Sequence, residues 1–347
     1  MERNKAVAIW LFIGVVMLFF QIIIGGVTRL TGSGLSITKW EIVTGTLPPL
    51  SEENWEDEFD KYKATPQYHK INKGMSLPDF EFIYFWEYFH RLWARSMGLV
   101  FLFPLIWFLW KKKIRKVLKP HLAGVFTLAA LVASFGWIMV ASGLVDRPWV
   151  NAYKLTVHLS LGILLYAWVL WLAMDELLVH KRTATPQIHK WTSIFIGLLT
   201  LQIILGGLMS GMKAALIYPT WPDMGGSFIP PVLLDFSNFS LSAFKDYDSN
   251  IYAMAFVQFS HRNLAYLLTI FGFALWVKAG KPQIQALNSA RHLFLLMLFV
   301  QVALGIITIL MSKGQIPVFW GVAHQAGAIL LLSTALYLFF VSGKRKR

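Results

Sequence analysis

Blocks of about 20 mostly apolar residues recur along this chain, each long enough to cross a hydrocarbon layer of ~30 Å. No water pairs the backbone inside such a layer, so each block must close its own hydrogen bonds as a helix. Eight spans read at roughly 6–24, 82–110, 121–141, 151–174, 190–210, 253–277, 291–311 and 318–341. The expected fold is an all-α polytopic membrane protein. Composition agrees. Of 347 residues, 56% are hydrophobic and 14% charged, against roughly 25% charged in a soluble domain.

Charge then orients the spans. Arg3, Lys5, the run Lys111–Lys119, Lys181, Arg182, Lys190, Lys278, Lys281, Arg291 and the tail Lys344–Arg347 fall in short segments on one side. The opposite side has the two long loops, about 25–81 and 211–252, and most of the acids. By the positive-inside rule both termini are expected in the cytoplasm. The net charge of +14 therefore reads as topology, and nucleic acid is not an expected partner. Met1–Lys5 runs straight into the first span, so no cleavable signal or transit peptide is expected. The acid run Glu52–Asp60 around Trp55 and Phe59 reads as a surface helix capping the outer face. Cysteine is absent, which excludes disulfides, thiolate metal sites, iron–sulfur clusters and thiol nucleophiles.

The two halves resemble each other. Gln21-Ile-Ile-Ile-Gly25-Gly26 ends span one, and Gln202-Ile-Ile-Leu-Gly206-Gly207 ends span five. Span two carries Glu87-Tyr-Phe-His90-Arg91, and span six carries Gln258-Phe-Ser-His261-Arg262. His158 in span four answers to His324 in span eight. Each repeat has an even number of spans, so the halves share one orientation. The expectation is two pseudo-symmetric four-helix bundles, 1–180 with the long outer loop 25–81, and 181–347.

Of nine histidines, His121, His180, His189 and His292 lie at cytoplasmic helix ends and His69 in an outer loop. These read as interfacial or solvated. His90, His158, His261 and His324 lie inside spans, roughly 10–12 Å below the outer surface at 1.5 Å per residue. Intramembrane ionisable groups are costly and usually functional. Two imidazoles at one depth on parallel helices can hold a haem iron from both faces. Zinc and di-iron sites fit poorly without cysteine or several intramembrane carboxylates. One haem per half, near the outer leaflet, is the expectation.

The symmetry breaks in two places. Glu87 faces its counterpart Gln258. It shares a helical face with His90 and Arg91, so it is either an ion-pair partner of Arg91 or a carboxylate beside the porphyrin edge, stabilising positive charge or acting as a base. Second, Gly25-Gly26-Val-Thr28-Arg29-Leu-Thr31-Gly-Ser33-Gly34 has an arginine and hydroxyls that Gly206–Gly211 lacks. Haem propionates need cations and hydrogen-bond donors; Arg29, Arg91 and Arg95 could supply them. The glycines themselves read as sites of close helix packing. A half with a carboxylate and extra cations looks like a reaction site, the other like a fixed cofactor site.

These residues, with Trp40, Gly136-Trp137-Ile-Met139-Val-Ala-Ser142-Gly143-Leu, His158, His261-Arg262 and His324, resemble the haem A synthase family along nearly the whole chain. The resemblance implies oxidation of a haem O methyl group to a formyl group through an alcohol, giving haem A for terminal oxidases. It implies a resident haem b on His261 and His324, and haem O as substrate between His90 and His158, with Glu87 in the reaction site. Haem O synthase and a membrane or ferredoxin-like redox partner are the partners it implies, and a homo-oligomer is compatible with it. Some bacterial members carry a loop cysteine pair that this chain lacks, and a bacterial cytoplasmic (inner) membrane is the expected location. Two histidines per iron leave no position for O₂ unless a ligand leaves; addition of water to an oxidised methyl group is the alternative. A di-haem b-type electron carrier, a quinol oxidoreductase, explains the four histidines equally well but not the break at Glu87.

Overall fold

A computed structural model describes residues 3–38, 47–144 and 147–344 of the chain, apart from the side chain of Val179. Trp40 and the last residues of the basic tail, 345–347, lie outside the described residues. Twelve α-helices are described: α1 (Lys5–Leu30), α2 (Glu52–Lys63), α3 (Pro66–Lys70), α4 (Leu77–Trp110), α5 (Leu118–Gly143), α6 (Ala152–Leu177), α7 (Pro186–Gly211), α8 (Pro231–Leu234), α9 (Leu241–Lys245), α10 (Ile251–Gly280), α11 (Gln285–Met311) and α12 (Val318–Ser342). Eight of them, α1, α4, α5, α6, α7, α10, α11 and α12, are long and apolar enough to cross a membrane. Each matches one of the eight expected spans, α6 beginning one residue after the 151 read for its span.

One difference lies at the start of α4. Apolarity alone starts its span at 82, but the helix starts at Leu77 and runs 34 residues, about 51 Å. Ser76 caps it by accepting from the Asp79 amide, and the added turns pack against α2. Phe80, Ile83 and Tyr84 form a buried cluster with Phe59 and Tyr62 of α2, with Phe59 stacked on Phe80 at 4.9 Å. The acids of α2 point outward. Lys61 reaches Asp57 at 2.5 Å and Glu58 at 2.6 Å, and these hydrogen bonds raise its pKa. The surface-helix reading of the acid run is thus correct.

The chain forms two compact units, residues 13–165 and residues 166–347 with 1–12. In the first, the Trp93 indole donates to the Met17 carbonyl at 2.9 Å and the Thr28 hydroxyl to the Trp86 carbonyl at 3.1 Å, tying α1 to α4. In the second, α7 packs on α10, α10 on α11, α11 on α12, and α12 back on α7, which closes a four-helix bundle. Phe195, Phe294 and Leu298 meet there at Gly272, where a Cβ would lie 2.6 Å from the Leu298 side chain. The C-terminal end of α12 is held by the segment before α7: the Thr183 and Thr185 amides donate to Val341 and Ser342 carbonyls at 2.7 and 2.9 Å. His189 stacks on Phe339 with centroids 3.9 Å apart, a structural role consistent with its position at a helix end.

Candidate haem sites

Each of the four intramembrane histidines lies against a glycine on another helix. A Cβ on Gly25 would stand 3.1 Å from His90 Nε2, one on Gly136 3.0 Å from His158 Cε1, one on Gly206 3.4 Å from His261 Cε1, and one on Gly305 3.0 Å from His324 Cε1. At His90, His158 and His324 these distances are tighter than nine in ten real Cβ contacts, and at His261 the distance borders ordinary contact, so the missing side chains leave each ring close against its neighbouring helix. Packing, the role read for Gly25 and Gly206 from sequence, is here packing against an imidazole.

Three of these glycines follow a glutamine by four residues, on one helical face, and the glutamine amide meets the same ring. Gln21 Nε2 is 2.8 Å from His90 Nε2 and also donates to the His90 carbonyl at 3.2 Å. Gln202 Nε2 is 3.3 Å from His261 Nε2 and donates to the His261 carbonyl at 3.0 Å. Gln301 Nε2 is 3.2 Å from His324 Nδ1. On α5 the residue four before Gly136 is Val132, and its backbone carbonyl takes the place of the amide, 2.9 Å from His158 Nδ1. A carbonyl only accepts, so His158 Nδ1 carries the proton and Nε2 keeps a lone pair for a metal. The Gln-x-x-x-Gly pattern and Gly305 went unread in the sequence, although Gln21 and Gln202 sit in the repeat. Their histidine partners lie on other helices, far away in the sequence.

In the second unit, the His261 and His324 rings are 6.3 Å apart between centroids and inclined at 80°. Two imidazoles bound end-on to one metal at about 2 Å per bond would have centroids roughly 6 Å apart. His261 Nδ1 is buried with no hydrogen-bond partner. Among the described residues no group of three or more His, Cys, Asp or Glu side chains could cage an ion. A pair of imidazoles suits instead a metal whose other positions are already filled, as in a porphyrin. The residues present therefore fit a haem. In the first unit His90 and His158 lie within electrostatic range of each other.

Glu87 is buried, 3% exposed, and both of its carboxylate oxygens accept hydrogen bonds. Oε1 pairs with Arg91 at 2.5 Å. Oε2 accepts from the Ser36 amide at 2.7 Å, the Ser36 hydroxyl at 2.8 Å and the Ile37 amide at 2.9 Å. Arg91 also donates to the Ile37 carbonyl at 3.4 Å. Gln258, equally buried, donates to the Tyr218 carbonyl at 2.8 Å. Arg262 donates to the carbonyls of Thr220 (2.8 Å), Pro222 (3.3 Å) and Asp223. Of the other cations expected at a propionate, Arg29 lies in the last turn of α1, and Arg95 lies one turn beyond Arg91 on α4. Both are partly buried. Ser36, which supplies two of the hydrogen bonds to Glu87, was assigned no role from the sequence.

Comparison with known proteins fits this arrangement. The chain is 41% identical to "Heme A synthase" of Nitrosospira multiformis over 340 residues, covering 96% of this chain and 93% of the relative. It is 39% identical to that of Paramagnetospirillum magneticum, covering 99% and 95%, and 38% identical to that of Flavobacterium psychrophilum, covering 97% and 98%. The model of one family, COX15-CtaA, described as cytochrome oxidase assembly protein, matches residues 8–336. The chain belongs to that family of membrane haem A synthases.

Proposed function

We propose that this protein is itself a haem A synthase. It takes haem O into its first half, oxidises one ring methyl group through an alcohol to a formyl group, and releases haem A. The observation that carries this reading is the set of four intramembrane histidines, each seated on its own glycine, in a chain whose full-length relatives share that name. His261 and His324 hold a resident haem b, and His90 and His158 hold the substrate. The resident haem supplies one-electron redox chemistry when bound. Gln202 and Gln301 contact the rings of the first pair and Gln21 contacts His90, while the Val132 carbonyl holds the Nδ1 proton of His158 and leaves its Nε2 open to a metal. Arg29 and Arg95 take the haem propionates from the outer side, with Arg91 between them, its direction set by Glu87 and Ile37. Removing electrons from the methyl carbon and adding an oxygen atom requires an external electron acceptor, so a redox partner is part of the reading, and haem O synthase is the source of substrate.

The direct test is the pigment bound to purified protein. Haem O, the alcohol or haem A alongside haem b supports the synthase. Two equivalents of haem b and no conversion of added haem O point to an electron carrier.

The sites also require a defined sidedness, with both termini in the cytoplasm of a bacterial inner membrane. A reporter fused after Lys113 is expected to behave as cytoplasmic and one near Asp60 as external. The reverse pattern would place the histidines near the inner leaflet.

A further inference from the structure

The outer segment that follows α1 is buried to an unusual degree for a loop. Ser33 is 0% exposed, and Leu35 and Ser36 are each 1% exposed. Leu35 fills the space above Gly143, where a Cβ would lie 2.9 Å from its Cδ2. The segment is fastened at both edges. Above, Gln67 donates to the Gly32 carbonyl at 2.9 Å, and Gln67 is in turn held by the Tyr62 hydroxyl at 3.1 Å beneath the acidic helix. Below, Glu87 takes the Ser36 hydroxyl and the amides of Ser36 and Ile37. The outer end of α1 carries Gly25 against His90 and, one turn on, Arg29. The segment's anchor on Glu87 therefore fixes where α1 sits against α4 at the level of the first-half histidine.

The second unit has the same fastening with opposite polarity. At Glu87 the loop presents N–H groups, and a carboxylate, an acceptor only, receives them. At Gln258 the loop presents the Tyr218 carbonyl, and an amide N–H meets it. The adjacent arginines meet loop carbonyls in both halves, three at Arg262 and that of Ile37 at Arg91. The residue difference between the halves matches the backbone groups each must hold.

We propose that Glu87 is a positioning residue of the first-half haem site: it acts through the Ser33–Ile37 segment, and the exchange of Glu87 for Gln258 between the halves follows the polarity of the loop backbone. This rests on the reading of the first half as the haem O site. Three of the four hydrogen bonds that Glu87 accepts come from Ser36 and Ile37 and converge on Oε2, so most of what this carboxylate holds is the backbone and hydroxyl of the segment.

The test compares Glu87→Gln, Ser36→Ala and Gln258→Glu with the unaltered protein in detergent micelles. Three quantities are read: hydrogen exchange at the Ser36 and Ile37 amides, haem b content, and conversion of haem O across pH. Glu87→Gln is expected to speed exchange at both amides at least tenfold, to leave haem b in place and to lower conversion. The residual activity keeps the shape of the unaltered pH profile. Ser36→Ala, which leaves the carboxylate untouched, is expected to shift exchange and conversion in the same direction by a smaller factor. Gln258→Glu sets a carboxylate against the Tyr218 carbonyl and is expected to lower haem b content. Loss of conversion in Glu87→Gln with unchanged exchange, or a pH profile that loses one limb, would assign the carboxylate to the chemistry and overturn the proposal. So would full activity in Ser36→Ala despite faster exchange, or an undisturbed haem b in Gln258→Glu. If unaltered protein converts no haem O, the assigned function fails, and the exchange and haem b measurements still decide the clamp.

Discussion

Purified His261→Ala and His324→Ala proteins are each expected to lose most of their bound haem b, or to retain it in high-spin form. The two rings stand 6.3 Å apart, the spacing of a pair across one metal, so neither can be replaced by the other. An alanine leaves an axial position to water or to nothing, and it leaves Gln202 or Gln301 with a buried amide short of a partner. The second loss costs about 1–3 kcal/mol, well below what haem release removes, so the protein still inserts. The measurement is the visible spectrum of the reduced protein together with extracted haem. An unchanged low-spin spectrum in both variants removes this pair as ligands. His69→Ala, whose ring packs edge-on to Tyr68 in the short helix α3, is expected to leave the spectrum as it was.

Much of this arrangement is legible in the sequence because the bilayer permits so few alternatives. Runs of about 20 apolar residues become helices, and a histidine inside such a run is expensive enough to signal a role. What the sequence does not display is the partner across a helix interface. Gln21 and His90 are 69 residues apart, Gln202 and His261 59, so nothing in the sequence spacing joins each glutamine to its ring. The first turns of α4 are aromatic and partly charged, and apolarity alone misses them; they become helical because Ser76 caps the start and α2 covers the exposed face. The break between Glu87 and Gln258 is plain in the sequence, but its cause is not. Whether a loop turns its N–H or its C=O groups toward a helix is a matter of backbone direction, which side-chain identities do not encode.

The glycines supply the second large effect, and they separate the halves without touching a ligand. Gly136→Val is expected to abolish haem O binding and conversion while leaving haem b content intact; Gly305→Val is expected to do the reverse to haem b. At each position a Cβ alone would stand 3.0 Å from the Cε1 of its histidine, and valine adds two further methyl groups that no rotamer can turn wholly away. The ring must then move by more than the few tenths of an ångström that packing yields, which takes a ligand nitrogen out of line with its metal. In α5 the displacement also breaks the bond from His158 Nδ1 to the Val132 carbonyl, with a cost of about 1–3 kcal/mol for the buried groups left unpaired. Gly98→Ala in α4 and Gly162→Ala in α6 are the controls, because a Cβ at either meets nothing within 4 Å; they should be neutral or slightly stabilising, by about 0.5–1 kcal/mol. Extraction of both haems from the four variants reads the result. If Gly136→Val and Gly305→Val deplete the same haem, the two histidine pairs do not hold separate molecules, and the division of labour between the halves fails with them.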